Sequence, residues 1–286
     1  MESRPIIEVH SLNDERLADY RDLTDHPLRT RFEDERALMI VESKMALEVA
    51  LDEDLECVSL LIDERRLDTC AYLLEHVDPE VPVYVMNHAA MSELVGYKVT
   101  RGVLAAFRRK PLLSVAEAIE GARNVCVVED IVDVSNVGAL FRSAAALGVD
   151  AVILSPSCTS PLARRAIRVS IGNTFRLPWA QAEPDAWPHA TIDALHGAGF
   201  ACYALALKDD AVSLDDPSLK VPEKRALFFG NEGSGLSRAV LDACDAHVII
   251  PMARGVDSLN VAASSAVAFW ELFARDRALN ERGPLA

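Results

Sequence analysis

From Asn124 onward the chain repeats one pattern, a short run of almost continuous Val, Ile and Leu followed by a turn and a helical stretch. The strand-like runs are NVCVVEDI, AVILSP, FACYALAL, RALFFG and HVIIPM, and the helical stretches are NVGALFRSAAALG, PLARRAIRVSIG, LSRAVLDAC and LNVAASSAVAFWELFAR. A strand that is apolar on both faces has to be covered on both, which helical crossovers between parallel strands accomplish. The pattern therefore predicts an α/β domain with a parallel sheet between helical layers. In such sheets ligands bind beyond the carboxyl ends of the strands, so the loops after VVEDI, ALFFG and VIIPM are the expected seat of chemistry.

A smaller alternation precedes this one: ALMIV, a helical stretch to Leu51, CVSLLI, a helix from Leu67 to His76, VPVYVM and VLAAF. Between the two lies KPLLSVAEAIEGARN, in which a proline, a short amphipathic helix and a glycine mark a boundary. The expected organisation is a small α/β domain over residues 1–110 that begins with an N-terminal extension, a linker over 111–122 and a larger domain over 123–286. Half of the 286 residues are hydrophobic, enough for two such cores. No run approaches the ~20 apolar residues of a membrane helix. The N-terminus, MESRPIIEVHSLNDER, is too charged for a signal peptide, so a cytoplasmic protein is expected.

Composition excludes several classes of function. Cys57, Cys70, Cys126, Cys158, Cys202 and Cys244 are scattered and form no C-x-x-C pair, so reduced thiols are expected. The histidines have no ligand spacing, and no metal is expected. A net charge of −15 argues against a non-specific nucleic-acid binder, whose affinity would come from clustered cations. Any nucleic-acid contact must use local patches, and the candidates are Arg29 and Arg31, then Arg108, Arg109 and Lys110, then Arg164, Arg165, Arg168 and Arg176.

Three strand-end loops carry the candidate chemistry. GNEGSG, from Gly230 to Gly235, lies between a buried strand and a helix, and its glycines would let backbone amides approach a ligand closely. Its G-x-x-G-x-G order is not a dinucleotide fingerprint, and it lacks the Lys-Ser/Thr of a P-loop. EDIVDVSNVGALFRSAAALG places Asn136 at a helix start and Arg142 inside a mainly apolar helix, where a buried guanidinium is costly unless paired and so invites a functional reading. PMARGVDSLNVAASSAVAFWEL joins a strand to a helix with Asp257 or Ser258 as the expected N-cap, and the small residues from Ala262 to Ala266 permit close backbone approach.

Together, in this order and spacing, EDIVDVSNVGALFRSAAALG, ALFFGNEGSGL and HVIIPMARGVDSLNVAASSA resemble the three signature motifs of the SpoU/TrmH family of RNA ribose 2′-O-methyltransferases, within the SPOUT superfamily, over about residues 123–275. The preceding domain resembles the L30e-like RNA-recognition domain of many members. There LMIVESKMALEVAL is similar to the family's strand-to-helix junction, with Ser43 where a glycine is common.

The resemblance implies a parallel sheet whose C-terminal segment forms a deep trefoil knot, an exception to un-knotted topology. It implies S-adenosylmethionine (SAM) as cofactor, held by backbone around Gly230, Ile250 and Leu259, with Leu205, Asn231, Gly233 and Met252 close by. Arg142 matches the family's catalytic arginine, and Asn136, Glu232, Ser258 and Asn260 match the polar positions that shape the site. A guanidinium stays protonated, so Arg142 is expected to bind a substrate phosphate and stabilise the developing alkoxide, with a phosphate oxygen or water as alternatives for proton removal. The implied assembly is a homodimer, and the implied substrate is ribosomal RNA first and transfer RNA second. The alternative is a catalytically silent RNA-binding or ribosome-assembly protein on the same fold. Intact Arg142, Glu232 and Asn260 argue against it. A nucleotide-dependent oxidoreductase is disfavoured by the missing fingerprint.

Overall fold

The computed structural model describes residues 6–24, 35–256 and 258–274, and these fall into two compact units. One comprises the described residues up to Pro111 together with Leu162–Phe175, and the other comprises Leu112–Pro161 and the residues from Arg176 onward. Arg29, Arg31 and Asp257 lie outside the described residues.

The first unit is built on five strands, β1 (Ile6–Glu8), β2 (Leu38–Glu42), β3 (Cys57–Asp63), β4 (Val83–Met86) and β5 (Val103–Arg108). Their order across the sheet is β1-β4-β3-β5-β2, with β5 antiparallel to both β3 and β2. Helices Lys44–Asp52, Leu67–Leu74 and His88–Val95 follow β2, β3 and β4. The N-terminal extension belongs to this fold. β1 is an edge strand paired with β4, and the fully buried Tyr20 hydroxyl donates to the Ser59 carbonyl at 2.9 Å and accepts from the Ala106 N–H at 3.2 Å. A three-residue strand and one buried tyrosine carry too little periodicity to be read from sequence.

Ser43, between β2 and the helix Lys44–Asp52, has φ 98° and ψ 147°, a region essentially reserved for glycine. Its hydroxyl accepts from the Ala46 N–H at 3.4 Å, a weak cap. Replacing it by glycine relieves the strain and loses little capping energy. Ser43→Gly should therefore raise unfolding stability by about 1 kcal/mol in urea titrations. A loss of stability would show that the cap outweighs the strain.

The neighbouring Glu42 carboxylate is fully buried and is paired with Arg164 and, at 3.5 Å, with Arg168, both from the helix Arg164–Ser170. The Arg164 guanidinium also stacks 4.2 Å from the centre of the Tyr97 ring. A buried carboxylate needs such partners, and here they hold Leu162–Phe175 in the first unit. Sequence periodicity assigns this helix to the second alternation; the partner that decides its place is more than a hundred residues away. Two of the expected RNA-contacting arginines are therefore committed to an internal carboxylate. Arg108 pairs with Glu56 at 2.8 Å, and Lys110 donates to the Glu53 carbonyl at 3.0 Å.

The second unit holds a sheet of seven parallel strands, β6 (Asn124–Val128), β7 (Ala151–Leu154), β8 (Trp179–Gln181), β9 (Ala201–Leu205), β10 (Val212–Ser213), β11 (Arg225–Phe229) and β12 (Ala246–Ile249). Their order is β10-β12-β9-β11-β6-β7-β8, so the central strands β11 and β6 are buried on both faces, as their Val, Phe and Leu runs require. One core cluster joins Val125, Val127, Ile153, Ala226 and Phe228 to Ile192 and Leu195 of the helix His189–Gly197. That helix, β8 and the two-residue β10 were not apparent from sequence, being short or weakly amphipathic. All six cysteines are free thiols, and four are buried. Among the described residues no helix is long and apolar enough to cross a membrane.

Candidate functional site

A cavity of about 490 Å³ opens at the carboxyl ends of β9, β11 and β12, within the ~300–1,000 Å³ range of small-molecule sites. Leu205, Phe229, Val248 and Ile250 form apolar walls, and the 230–236 loop supplies backbone polar groups. Leu205, Gly230, Asn231, Gly233, Ile250, Met252 and Leu259, the positions expected around a cofactor, all line it, as do Glu232 and Ser258.

The 230–236 loop is closed on itself. Asn231 Oδ1 accepts from the Gly233 N–H at 2.8 Å and the Ser234 N–H at 3.3 Å, and the Asn231 carbonyl accepts from the Gly235 N–H at 2.8 Å. Asn231 Nδ2 donates to the Asp130 carbonyl at 2.9 Å, tying the loop to the end of β6. A Cβ on Gly230 would lie 2.3 Å from the Gly235 carbonyl carbon and 2.4 Å from the Leu236 nitrogen. The glycine is thus required by the loop's own backbone, whereas sequence reasoning assigned it to close approach by a ligand.

Three side chains, one from each motif, form a hydrogen-bonded chain. Asn260 Nδ2 donates to Asn136 Oδ1 at 2.9 Å, and Asn136 Nδ2 donates to Glu232 Oε1. Asn260 is also the N-cap of the helix Val261–Phe269, its Oδ1 accepting from the Ala262 N–H at 3.0 Å, so the cap falls there and not on Ser258. Asn136 is held at the start of the helix Val134–Ala146 by Asp133, whose carboxylate caps the Ser135 and Asn136 N–H groups. Asparagine suits the middle of this chain because one amide both donates and accepts.

Arg142 is exposed, contrary to the buried position expected from its apolar helix. The inward stripe of that helix runs through Val137, Leu140, Phe141 and Ala144, and Arg142 falls outside it. It makes no hydrogen bond or ion pair among the described residues and does not join the Asn260–Asn136–Glu232 chain.

Sequence reasoning singled out no role for Glu129, although an acidic pair closing an apolar strand was a visible signal. Glu129 is 3% exposed, and both its carboxylate oxygens accept hydrogen bonds. On the metal question, ligand atoms of His196, Cys202 and Asp245 lie within 4.8 Å of one another. Burial pushes the Cys202 thiol up to about 12, and an Asp245 oxygen is occupied by the Cys202 N–H at 2.7 Å, so the trio is poorly suited to a cation.

With this geometry in place, comparison with known proteins decides the family. The model of the SpoU rRNA methylase family matches residues 123–270, which contain all three loops. The chain belongs to the SpoU rRNA methylase family. An uncharacterised tRNA/rRNA methyltransferase of Mycobacterium tuberculosis (strain CDC 1551 / Oshkosh) is 39% identical over 97% of this chain and 94% of that protein. The 23S rRNA (guanosine(2553)-2′-O)-methyltransferase RlmP of Bacillus subtilis (strain 168) is 24% identical over 93% of this chain and 98% of its own. Among solved structures, the AdoMet-bound rRNA methyltransferase from Sinorhizobium meliloti has a TM-score of 0.78 at 24% identity, covering 93% of this chain and 97% of that one. The fold of this SpoU family member is thus α/β, with the C-terminal parallel sheet typical of SPOUT methyltransferases.

Proposed function

We propose that the protein transfers a methyl group from SAM to a ribose 2′-hydroxyl of RNA, ribosomal RNA being the first choice of substrate and transfer RNA the alternative. The observation that carries this reading is the Asn260–Asn136–Glu232 chain at the rim of a nucleoside-sized strand-end cavity, inside a segment of SpoU type. The donor set fits the cofactor: apolar walls for an adenine, loop and strand-end backbone groups for its edge, and the Glu232 carboxylate as a counter-charge for a sulfonium. When bound, SAM supplies an electrophilic methyl group. Asn136 fixes Glu232, Asn260 fixes Asn136, and Ser258 offers a hydroxyl at the cavity wall. Arg142, exposed and uncommitted, binds a substrate phosphate and steadies the alkoxide that develops as the hydroxyl passes its proton to a phosphate oxygen or to water. Calorimetry with SAM and with NAD tests the cofactor reading. SAM binding alone is expected, and NAD binding alone would move the protein to another class.

A trefoil knot belongs to this proposal. Its support is the path of the chain, which leaves β12 on one side of β11 and continues into the helix Val261–Phe269, packed on Val134–Ala146, the helix that follows β6 on the other side. Phe269 of that helix meets Phe229 of β11 edge-on, with ring centres 5.5 Å apart. A homodimer is proposed as well, its support being Leu259, Val267 and Trp270, exposed apolar residues before, on and after the same helix. RNA as substrate implies a cytoplasmic protein.

The first unit is proposed as an L30e-like RNA-recognition domain, a reading supported by the glycine-like backbone at Ser43. Cations gather at one end of its sheet. Arg65 is pinned to the buried Asp63 at 2.7 Å, and the left-handed Gly102, which follows Arg101 in the chain, lies against the Arg66 side chain. Because phosphate contacts are lost with rising salt, replacing Arg66 and Arg101 together by alanine should weaken RNA binding severalfold and flatten its salt dependence, leaving SAM affinity unchanged. An unchanged salt slope would remove these residues from the RNA interface. A whole-chain variant is preferable to truncation near residue 115, which would strip Leu162–Phe175 of its packing partner.

A further inference from the structure

The buried Glu129 does not line the cavity, yet this one residue holds both ends of the loop that does. The Glu129 N–H donates to the Phe229 carbonyl at 2.9 Å, immediately before Gly230. Its Oε2 accepts from the Ser237 N–H at 2.7 Å, immediately after Leu236. Its Oε1 accepts from Trp187 Nε1 at 3.0 Å. With both oxygens receiving N–H donors, the side chain is an acceptor on each side, the arrangement a carboxylate satisfies and a carboxamide cannot.

We propose that Glu129 is a positioning residue for the cofactor loop, its backbone and carboxylate clamping Phe229 and Ser237 so that the 230–236 loop, and Glu232 within it, keeps its shape. The clamp rests on the reading of the cavity as the SAM site only for its consequence; the geometry of the clamp stands apart from it. Glu129 acts through the loop and is not a catalytic residue.

The substitution that isolates this role is Glu129→Gln, which conserves size but turns one oxygen into an amide nitrogen. That nitrogen must face the N–H of either Ser237 or Trp187, leaving a buried donor unpaired. Trp187→Phe removes one of the two donors, so in Glu129→Gln/Trp187→Phe the remaining amide oxygen can serve Ser237 alone. A merely structural loss at Glu129 would be deepened by the second substitution, whereas a donor–acceptor clash is relieved by it.

The experiment is amide hydrogen exchange of residues 231–237 without ligand, followed by SAM calorimetry, on wild type, both single variants and the double variant. Glu129→Gln should exchange at least about tenfold faster in the loop and bind SAM about tenfold more weakly. The double variant should return to within about threefold of Trp187→Phe on both readings. Wild-type loop exchange in Glu129→Gln, or a double variant as perturbed as Glu129→Gln, would overturn the proposal. If Glu129→Gln does not fold, the comparison of the double variant with Trp187→Phe decides: equal loop exchange supports the clamp and faster exchange refutes it. Failure of the wild-type protein to bind SAM would refute the cofactor reading, while loop exchange would still report on the clamp.

Discussion

Gly230→Ala is expected to lower SAM affinity by at least about a hundredfold, although the added methyl group need not touch the ligand. Its Cβ would lie 2.3–2.4 Å from the Gly235 carbonyl group and the Leu236 nitrogen, distances that real Cβ atoms do not reach. These are backbone atoms, so no side chain can swing away to relieve the contact. The loop must open, and the Asn231 turn and the Glu232 side chain move with it. A graded series separates this cause from simple crowding of the cavity. A Cβ on Gly233 would meet only Asn231 Oδ1, at 3.3 Å, so Gly233→Ala should cost less than about tenfold. Calorimetry on the two variants checks the order, and equal losses would show that the ligand, and not the loop, requires the glycine.

Arg142→Ala should slow single-turnover methyl transfer by at least about a hundredfold, the scale of losing a key electrostatic stabiliser. SAM affinity should stay within about threefold, because Arg142 does not line the cavity. Stability should change by less than about 0.5 kcal/mol, since the side chain is exposed and supports no ion pair among the described residues. Arg142→Lys should recover only part of the rate, because an ammonium keeps the charge but loses the planar two-pronged contact with a phosphate. A near-normal rate in Arg142→Ala would remove the residue from the mechanism.

The exposure of Arg142 illustrates where sequence reasoning reaches its limit. An apolar run such as NVGALFRSAAALG identifies a packed helix, but which face turns inward is decided by the elements laid against it, here including the helix Val261–Phe269. The parallel sheet was legible because buried strands such as NVCVV and RALFF need apolar residues at almost every position. The strand-end loops were legible for the same reason, since the sheet fixes where they must sit. Glu42 and Glu129 were not. Each is a buried carboxylate whose partners lie 55 to 126 residues away, and in sequence it reads as an ordinary charge at a strand end. For the same reason sequence order places the helix Arg164–Ser170 in the second alternation, while its packing places it in the first unit. Gly230 was recognised for its position, but the contact that requires it belongs to the three-dimensional loop.

The most direct test of the proposed activity is chemical. The protein is incubated with methyl-labelled SAM and unmodified ribosomal RNA, and separately transfer RNA, and each product is digested with alkali. A 2′-O-methyl ribose has no free hydroxyl to attack its neighbouring phosphate, so the label should survive in alkali-resistant dinucleotides, and Arg142→Ala should abolish it within the same assay time. Label released entirely in mononucleotides would place the methyl group on a base, and RNA binding without any transfer would leave a silent member of the fold. Either result would contradict ribose 2′-O-methylation by this protein.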